Sequence, residues 1–255
     1  QDIISEMSEV PPQFAEYPRV PQRPRVRIEA IGEAWKLLTQ DLGTWALAGF
    51  ITSVFAVVAF LPLYLVSIIQ LVASRTPTLG QMFIFYVLIF GAMIALYIAQ
   101  GLGYAGMYRM ALKKLRGEPI AMKDYFAWDS SMITHAVASL IIALGVVFGS
   151  ILCYLPGFIV GGLLMLTQPI IVARKCGVGE AVGTSWNLLK GDLWMATGLY
   201  FLTSLVAGLG AIACGIGMIF TLPLLPLTFA IVYRDFSQGE YSSNGPTAPY
   251  DVMAR

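Results

Sequence analysis

The sequence predicts an all-α integral membrane protein, in which six transmembrane helices form three hairpins preceded by amphipathic interfacial helices. Three observations predict this fold class. Hydrophobic residues make up 57% of the 255 positions and charged residues only 12%, whereas about a quarter of the residues in soluble domains are charged. Four long intervals contain no Asp, Glu, Lys or Arg. The basic residues gather in loops that a six-span arrangement places on one side of the membrane.

The uncharged intervals determine the number of spans, because a helix needs about 20 apolar residues to cross the hydrocarbon core of a bilayer. Intervals 42–74 and 76–108 supply one span each. Intervals 130–173 and 193–233 are too long for a single span. Each of these two is therefore expected to fold back on itself as a hairpin.

Proline and glycine mark the predicted turns. The second hairpin is predicted to turn at residues 153–157, which include Pro156 and Gly157, and a group of glycines marks the turn of the third: Gly208, Gly210, Gly215 and Gly217. Other prolines fall inside apolar runs, where neighbouring helices can bond the freed carbonyls: Pro62, Pro169, Pro223 and Pro226. The predicted spans lie near residues 44–72, 81–107, 132–153, 156–173, 193–212 and 216–233.

The basic residues predict the orientation of the chain. Fifteen of the 16 lie on one side of the six-span arrangement, and Arg75 alone lies on the other. Because basic loops stay in the cytoplasm, both ends of the chain are expected there. Residues 1–26 are predicted to form a proline-rich cytoplasmic arm and residues 237–255 a polar C-terminal tail. The six-helix membrane domain covers residues 27–236.

An internal repeat explains the interfacial helices. Residues 29–42 and 180–193 are identical at 8 of 14 aligned positions, and each segment has apolar residues at helical spacing. Trp35 and Trp186 occupy the same place in the two copies, and Trp194 follows the second. Tryptophan prefers the headgroup depth, so all three are predicted to be interfacial anchors. Residues 116–129 are interpreted as a diverged third copy.

Two loop motifs accompany this repeat. Residues 116–126 read Arg-Gly-Glu-(x)5-Asp-x-Phe, and residues 185–194 read Ser-Trp-x-Leu-x-Lys-Gly-x-x-Trp. Over about residues 27 to 235 the chain resembles the bacterial six-span families grouped around the membrane domain of glycerophosphoryl diester phosphodiesterase. The resemblance implies a six-span fold in a bacterial inner membrane. It implies no catalytic residue, since the phosphodiesterase chemistry of that group belongs to a separate soluble domain.

Ionisable residues that serve catalysis or proton coupling are normally found within the spans of a membrane protein. No Asp, Glu, Lys or Arg falls inside a predicted helix core. The sequence also contains no HExxH, GxSxG, CxxC or phosphate-loop pattern. The prediction is therefore a protein that is not an enzyme, has no metal site and is not coupled through buried carboxylates.

The polar residues of the predicted spans leave two readings open. Gln100, Gln168 and His135 are expected to form interhelical hydrogen bonds, and a shared polar path is the alternative. His135 is the only histidine. A bond to a neighbouring helix or to headgroups is its expected role, with ligation of a single pigment or metal as the alternative. No cofactor is predicted, although bound lipid is compatible with the composition.

The cysteines also leave two readings open. Cys153 and Cys214 are predicted at the outer turns of two hairpins. Small apolar cysteines in membrane helices usually serve packing, which is therefore the expected role of both. A disulfide between them is the alternative if the outer compartment is oxidising.

Two functions from different classes fit these predictions. The first is a structural or accessory subunit of a multi-protein membrane complex, which accounts for the uncharged spans and the proline-rich arm. The second is a small-molecule or lipid-handling transporter. Membrane lipids and other membrane subunits or further copies of the chain are the expected partners. Nucleic acid is not expected, because 16 basic and 15 acidic residues nearly balance.

Overall fold

The computed structural model describes residues 25–73, 78–127, 129, 131–152, 154–212 and 216–244. In these ranges the chain is helical and contains no strand, which confirms the all-α membrane fold. Six stretches are long and apolar enough to cross a membrane: Leu42–Ile69, Leu79–Leu115, Ser131–Ile151, Tyr154–Arg174, Val178–Gly210 and Gly217–Gln238. Most of the predicted arm and the end of the tail lie outside the described residues.

The described residues form eleven α-helices, with a short 3-10 turn at Lys190–Asp192. In chain order they are α1 (Glu29–Gln40), α2 (Leu42–Ala73), α3 (Leu79–Leu115), α4 (Met122–Tyr125), α5 (Ser131–Leu152), α6 (Tyr154–Leu164), α7 (Thr167–Arg174), α8 (Val178–Leu189), α9 (Leu193–Ile212), α10 (Ile216–Thr221) and α11 (Leu224–Asn244). The predicted break runs from Cys153 to Gly157. Helix α5 ends at Leu152 and α6 begins at Tyr154, so Pro156 and Gly157 are the third and fourth residues of α6, and Cys153 lies outside the described residues.

The three hairpins pack in a closed ring. The first is α2 with α3, the second is α5 with α6 and α7, and the third is α9 with α10 and α11. Between hairpins, α3 packs on α5, α6 packs on α9, and α10 packs back on α2. Each hairpin therefore contacts both of the others.

Glycines make these contacts close. A methyl group on Gly149 would lie 2.8 Å from the Cα of Gly157, within the second hairpin. One on Gly162 would lie 2.8 Å from the Cα of Thr197, between the second and third hairpins. One on Gly49 would overlap the backbone of Ile219, where α2 meets α10. Small residues let helix backbones approach where lipid supplies no hydrophobic drive for association.

Two spans are broken, although the sequence placed their prolines inside apolar runs. The fourth span breaks into α6 and α7 at residues 165–166, and the sixth breaks into α10 and α11 at residues 222–223. Pro169 and Pro226 are each the third residue of the following helix. A proline ring clashes with the carbonyl four residues earlier, which here belongs to Met165 and to Leu222. The breaks therefore lie where the two prolines require them.

The short helices α1, α4 and α8 lie at one end of the ring, here called the basic end because Arg109, Lys113, Arg174 and Arg234 also lie there. Each packs on the last span of a hairpin: α4 on α3, α8 on α7, and α1 on α11. In both repeat copies the buried face carries small residues and a leucine: Ala30, Ala34 and Leu38 in α1, and Ala181, Ser185 and Leu189 in α8.

The tryptophans face outward from this contact. Trp35 and Trp186 are each 49% exposed, and Trp194 is 70% exposed. The apolar residues at helical spacing in the first repeat copy are Ile31, Trp35, Leu38 and Leu42. Leu38 is buried against the bundle, whereas Trp35 is on the outer surface and Ala34 is buried in its place. The reason is that alanine allows the interfacial helix to approach a neighbouring helix closely, while the indole is left on the outer surface.

An ion cluster fastens α1 to α11. Arg27 Nε donates to Asp235 Oδ2 at 2.6 Å, and its Nη2 donates to Glu33 Oε2 at 2.9 Å. Arg234 Nη1 donates to Glu33 Oε1 at 2.6 Å. The hydrogen bond from Arg234 holds the pKa of Glu33 below its usual value of 4.5, against the opposing effect of burial. The cluster therefore joins the beginning of the described chain to its last span.

Gly49→Ala tests the contact that closes the ring. The added methyl group would overlap the backbone of Ile219, so α2 and α10 must separate, at an expected cost of about 1–3 kcal/mol. We expect a lower thermal unfolding midpoint for the purified protein in detergent. Gly91→Ala is the control, because a methyl group at Gly91 meets nothing within 4 Å. Equal midpoints for the two variants would contradict the packing argument.

Glu33→Gln tests the ion cluster through its pH dependence. A carboxylate whose pKa is lowered by folding stabilises the folded state above its unfolded pKa, here about 4.5, and loses that contribution as the pH falls through the folded value. Between about pH 6 and pH 3 the unfolding midpoint of the unmodified protein should therefore fall more than that of the variant. Glu29→Gln, on the exposed side of the same helix, should behave like the unmodified protein.

Candidate intramembrane cavity

A cavity of about 290 Å³ lies inside the ring and is lined by all three hairpins. Its polar side chains are all uncharged: Tyr97, Gln100, Tyr104 and Tyr108 from α3, Ser139 from α5, Gln168 from α7, and Tyr200 and Ser204 from α9. Apolar residues of α5, α6 and α11 complete the wall. The lining therefore offers hydroxyl and amide groups without a carboxylate or an amine.

One face of α3 supplies half of the polar lining. Tyr97, Gln100, Tyr104 and Tyr108 recur at intervals of three or four residues, which places them along one side of a helix. Gly101 lies on the same side, and a methyl group there would collide with Ser139 and approach the Cα of Ala136 at 3.2 Å. The glycine thus holds α3 close to α5, and the larger neighbours on that face line the cavity.

Gln168 presents an unsatisfied acceptor in this wall. Its Nε2 donates to Ser139 Oγ at 2.7 Å, and Ser139 Oγ donates to the carbonyl of His135 at 2.9 Å. Gln168 is only 8% exposed, and its Oε1 has no hydrogen-bond partner among the described residues. A buried carbonyl without a partner is costly, and a donor on a bound molecule would satisfy it. Gln168 is also the second residue of α7, directly after the break in the fourth span.

The structure brings together two of the three residues predicted to form a polar path. Gln100 and Gln168 both line the cavity. His135 is fully buried beside it and stacks on Tyr108, with ring centroids 6.2 Å apart. Within the described chain neither ring nitrogen meets hydrogen-bond geometry. The Gln168 side chain is a neighbour of the imidazole, but Oε1 of Gln168 forms no hydrogen bond of accepted geometry with it. The polar path itself stays a prediction.

The tyrosines that line the cavity were not predicted from the sequence. Tyr97, Tyr104 and Tyr108 were signalled by their helical spacing on the second span, but tyrosine is also common at membrane interfaces. Tyr200 had no such signal, because it lies on another hairpin. It stacks on Phe229 of α11, with centroids 6.0 Å apart. Only the ring of hairpins shows that these residues share one cavity.

No group of three His, Cys, Asp or Glu side chains in the described ranges could hold a metal ion. Cys153 and Cys214, the predicted disulfide pair, lie outside the described residues. Cys176 is a free thiol between α7 and α8, and burial raises its pKa. The chemistry offered by the cavity is therefore the binding of uncharged polar groups.

The fold and the cavity define a polytopic α-helical membrane protein. No family model and no solved structure matches the chain. "Uncharacterized protein Mb2590" of Mycobacterium bovis and "Uncharacterized protein MT2637" of Mycobacterium tuberculosis are each 27% identical to it over 169 residues. "Uncharacterized protein Rv2560" of Mycobacterium tuberculosis is 26% identical over 169 residues. These matches cover 66% of this chain and 49% of each relative, so the chain spans about half the length of the curated relatives it matches.

Proposed function

We propose that the chain binds small uncharged molecules in the intramembrane cavity and passes them across the membrane, without coupling through buried carboxylates and without an enzymatic step. The observation that carries this proposal is the buried, unsatisfied Oε1 of Gln168 in a wall of uncharged polar groups. Such convergent polar groups in a largely apolar pocket are typical of small-molecule sites.

The two broken spans support the same proposal. Met165 at the first break and Leu225 just after the second both line the cavity. Transporter sites are often built where membrane helices are discontinuous, because the half-helices can shift around the bound molecule. In this chain α7 and α11 would move relative to α6 and α10, opening or closing the cavity.

We propose that the membrane is the cytoplasmic membrane of a bacterium, with both ends of the chain in the cytoplasm and with membership of the six-span families that the loop motifs resemble. The support for the orientation is the set of cationic residues at the basic end, since basic loops remain cytoplasmic. The support for a bacterial source is the similarity to mycobacterial proteins.

Gln168→Leu tests the transport proposal. We expect proteoliposomes containing the unmodified protein to take up glycerol and urea faster than protein-free vesicles, as measured by stopped-flow light scattering. The variant should lower the protein-dependent rate by about tenfold, because a solute donor would lose a buried acceptor worth about 1–3 kcal/mol.

Thr203→Val is the matched control for this measurement. Thr203 is also buried and polar, but its hydroxyl donates to the carbonyl of Leu199 in its own helix and it does not line the cavity. The control should retain the unmodified rate. Uptake of both probes at the protein-free rate, or equal slowing by the two variants, would contradict the proposal.

A role as an accessory subunit is the second candidate, and the surface of the first hairpin favours it. Only 6% of the most apolar stretch of each of its spans is buried, compared with 67% in the fourth span. Helix α3 has 37 residues, which corresponds to about 55 Å, whereas the hydrocarbon core is about 30 Å thick. A neighbouring subunit alongside α2 and α3 would cover this long apolar hairpin and reduce its mismatch with the bilayer.

Fluorescent-protein tags at either end of the chain test the orientation and the subunit role in one preparation. A fluorescent protein that is exported in an unfolded state does not fold outside the cytoplasm and stays dark. If both ends of the chain are cytoplasmic, both tags will therefore fluoresce in cells. The tagged protein, gently solubilised and weighed by native mass spectrometry, should carry a second protein at fixed stoichiometry if it is an accessory subunit. A stable isolated monomer would contradict that role, and tags on opposite faces would contradict the six-span orientation.

A further inference from the structure

A second recess, of about 490 Å³, opens at the basic end, between the last turns of α3 and α7 and the segment that joins α4 to α5. It shares no lining residue with the intramembrane cavity. We infer that this recess binds the phosphate group of an anionic phospholipid. The inference goes beyond the proposed transport function, and either can fail without the other.

The recess carries a net positive charge. Five basic side chains and two carboxylates line it, a formal balance of +3: Arg109, Lys113, Arg116, Arg174 and Lys175 against Asp124 and Asp129. Each carboxylate is paired with a cation, Asp124 with Lys113 at 3.0 Å and Asp129 with Arg109 at 3.2 Å. Glu118 pairs with Arg116 at the rim, and even with this carboxylate counted the balance stays positive.

Arg109 lines the recess and is largely buried. Its side chain is 12% exposed. Nη1 donates to Asp129 and Nη2 donates to the carbonyl of Tyr125. Its Nε is buried and has no hydrogen-bond partner among the described residues. Guanidinium groups bind phosphate oxygens through several N–H donors at once, and a phosphate in the recess would meet the guanidinium of Arg109 in its lining.

Lys175 adds an independent observation. It is the residue after α7, with φ at 51°, and it is the one non-glycine residue of positive φ in the described ranges. Its N–H donates to the carbonyl of Ile171 at 2.8 Å. Glycine or asparagine normally occupies this left-handed position because other side chains strain it. Strain of this kind is commonly retained at functional sites, and here it places an amine in the lining of the recess.

Helix dipoles account for only part of this charge. Lysine and arginine in the last turn of a helix are stabilised by its free carbonyls, which explains Lys113 in α3 and Arg174 in α7. Arg109 lies more than a turn before the end of α3, so a helix end does not explain its charge. Lys175 caps the end of α7, where a cation is favourable, but the helix end does not explain why lysine occupies this left-handed position. Both residues line the recess.

The position of the recess favours a lipid as the source of the phosphate. It lies at the same end of the bundle as the interfacial helices, whose outward-facing tryptophans indicate the headgroup depth. Basic pockets between helices at this depth bind anionic headgroups. Free inorganic phosphate would meet the same donors, so the experiment must separate the two sources.

The test uses the purified full chain and native mass spectrometry with phosphatidylglycerol or phosphatidylcholine in the micelle. We expect preferential retention of phosphatidylglycerol. The double variant Lys175→Asn, Arg116→Gln should weaken the retention of phosphatidylglycerol by about fivefold for each cation removed. The pair Lys36→Gln and Lys190→Gln removes the same charge from exposed positions outside the recess and should retain binding. No preference for phosphatidylglycerol, or equal weakening by the two pairs, would overturn the inference.

Lys175→Asn alone separates binding from folding. Asparagine tolerates the left-handed conformation, so this variant should unfold at the same or a higher temperature while retaining less phosphatidylglycerol. A parallel unfolding series with inorganic phosphate identifies the source. Stabilisation by millimolar inorganic phosphate that depends on Lys175, without retention of phosphatidylglycerol, would assign the site to free phosphate and overturn the lipid assignment.

Discussion

Helices inside a bilayer gain nothing from hiding apolar surface from lipid, so they hold together only where their backbones come close. This constraint governs the whole bundle. At Gly149, Gly162 and Gly49 a helix approaches its neighbour too closely for even a methyl group. The three contacts lie within the second hairpin, between the second and third, and between the third and first. Gly101 has the same role between α3 and α5, where a methyl group would collide with Ser139, so small residues occur at each junction of the ring. The interfacial helices use alanine in the same way against α7 and α11.

The close contacts between hairpins leave a cavity inside the ring. Pro169 and Pro226 prevent α6–α7 and α10–α11 from continuing as straight helices, and the breaks lie beside the space that the ring encloses. The amide of Gln168 is thereby brought to a site that contains polar side chains from other helices. A broken helix and a buried amide are each costly in lipid. Together they make a cavity whose polar groups face one another rather than the hydrocarbon.

The positions of the charged residues in the sequence were enough to predict six membrane-spanning helices, their approximate limits and their pairing as hairpins. The repeat was enough to predict α1 and α8. The breaks at Met165 and Leu222 depend on how a proline affects the residue four positions earlier, whereas the sequence pattern placed both prolines inside continuous spans. The lining by Tyr200, the inward face of Ala34 and the recess at Lys175 could not be predicted, because each depends on which helices become neighbours. A sequence pattern gives the direction of a side chain along its own helix, but it does not give the partner across the contact.

The two broken spans present different side chains to the cavity. Gln168-Pro169 and Leu225-Pro226 occupy equivalent places, each proline being the third residue of its helix, and the residue before each proline lines the cavity. One position carries an amide bonded to Ser139, whereas the other carries an aliphatic side chain near Phe229. Because the backbone arrangement is shared, the difference comes from the side chains alone. The same local geometry thus presents a hydrogen-bonding side chain from the second hairpin and an aliphatic one from the third, whose polar contribution to the cavity comes instead from Tyr200 and Ser204 of α9.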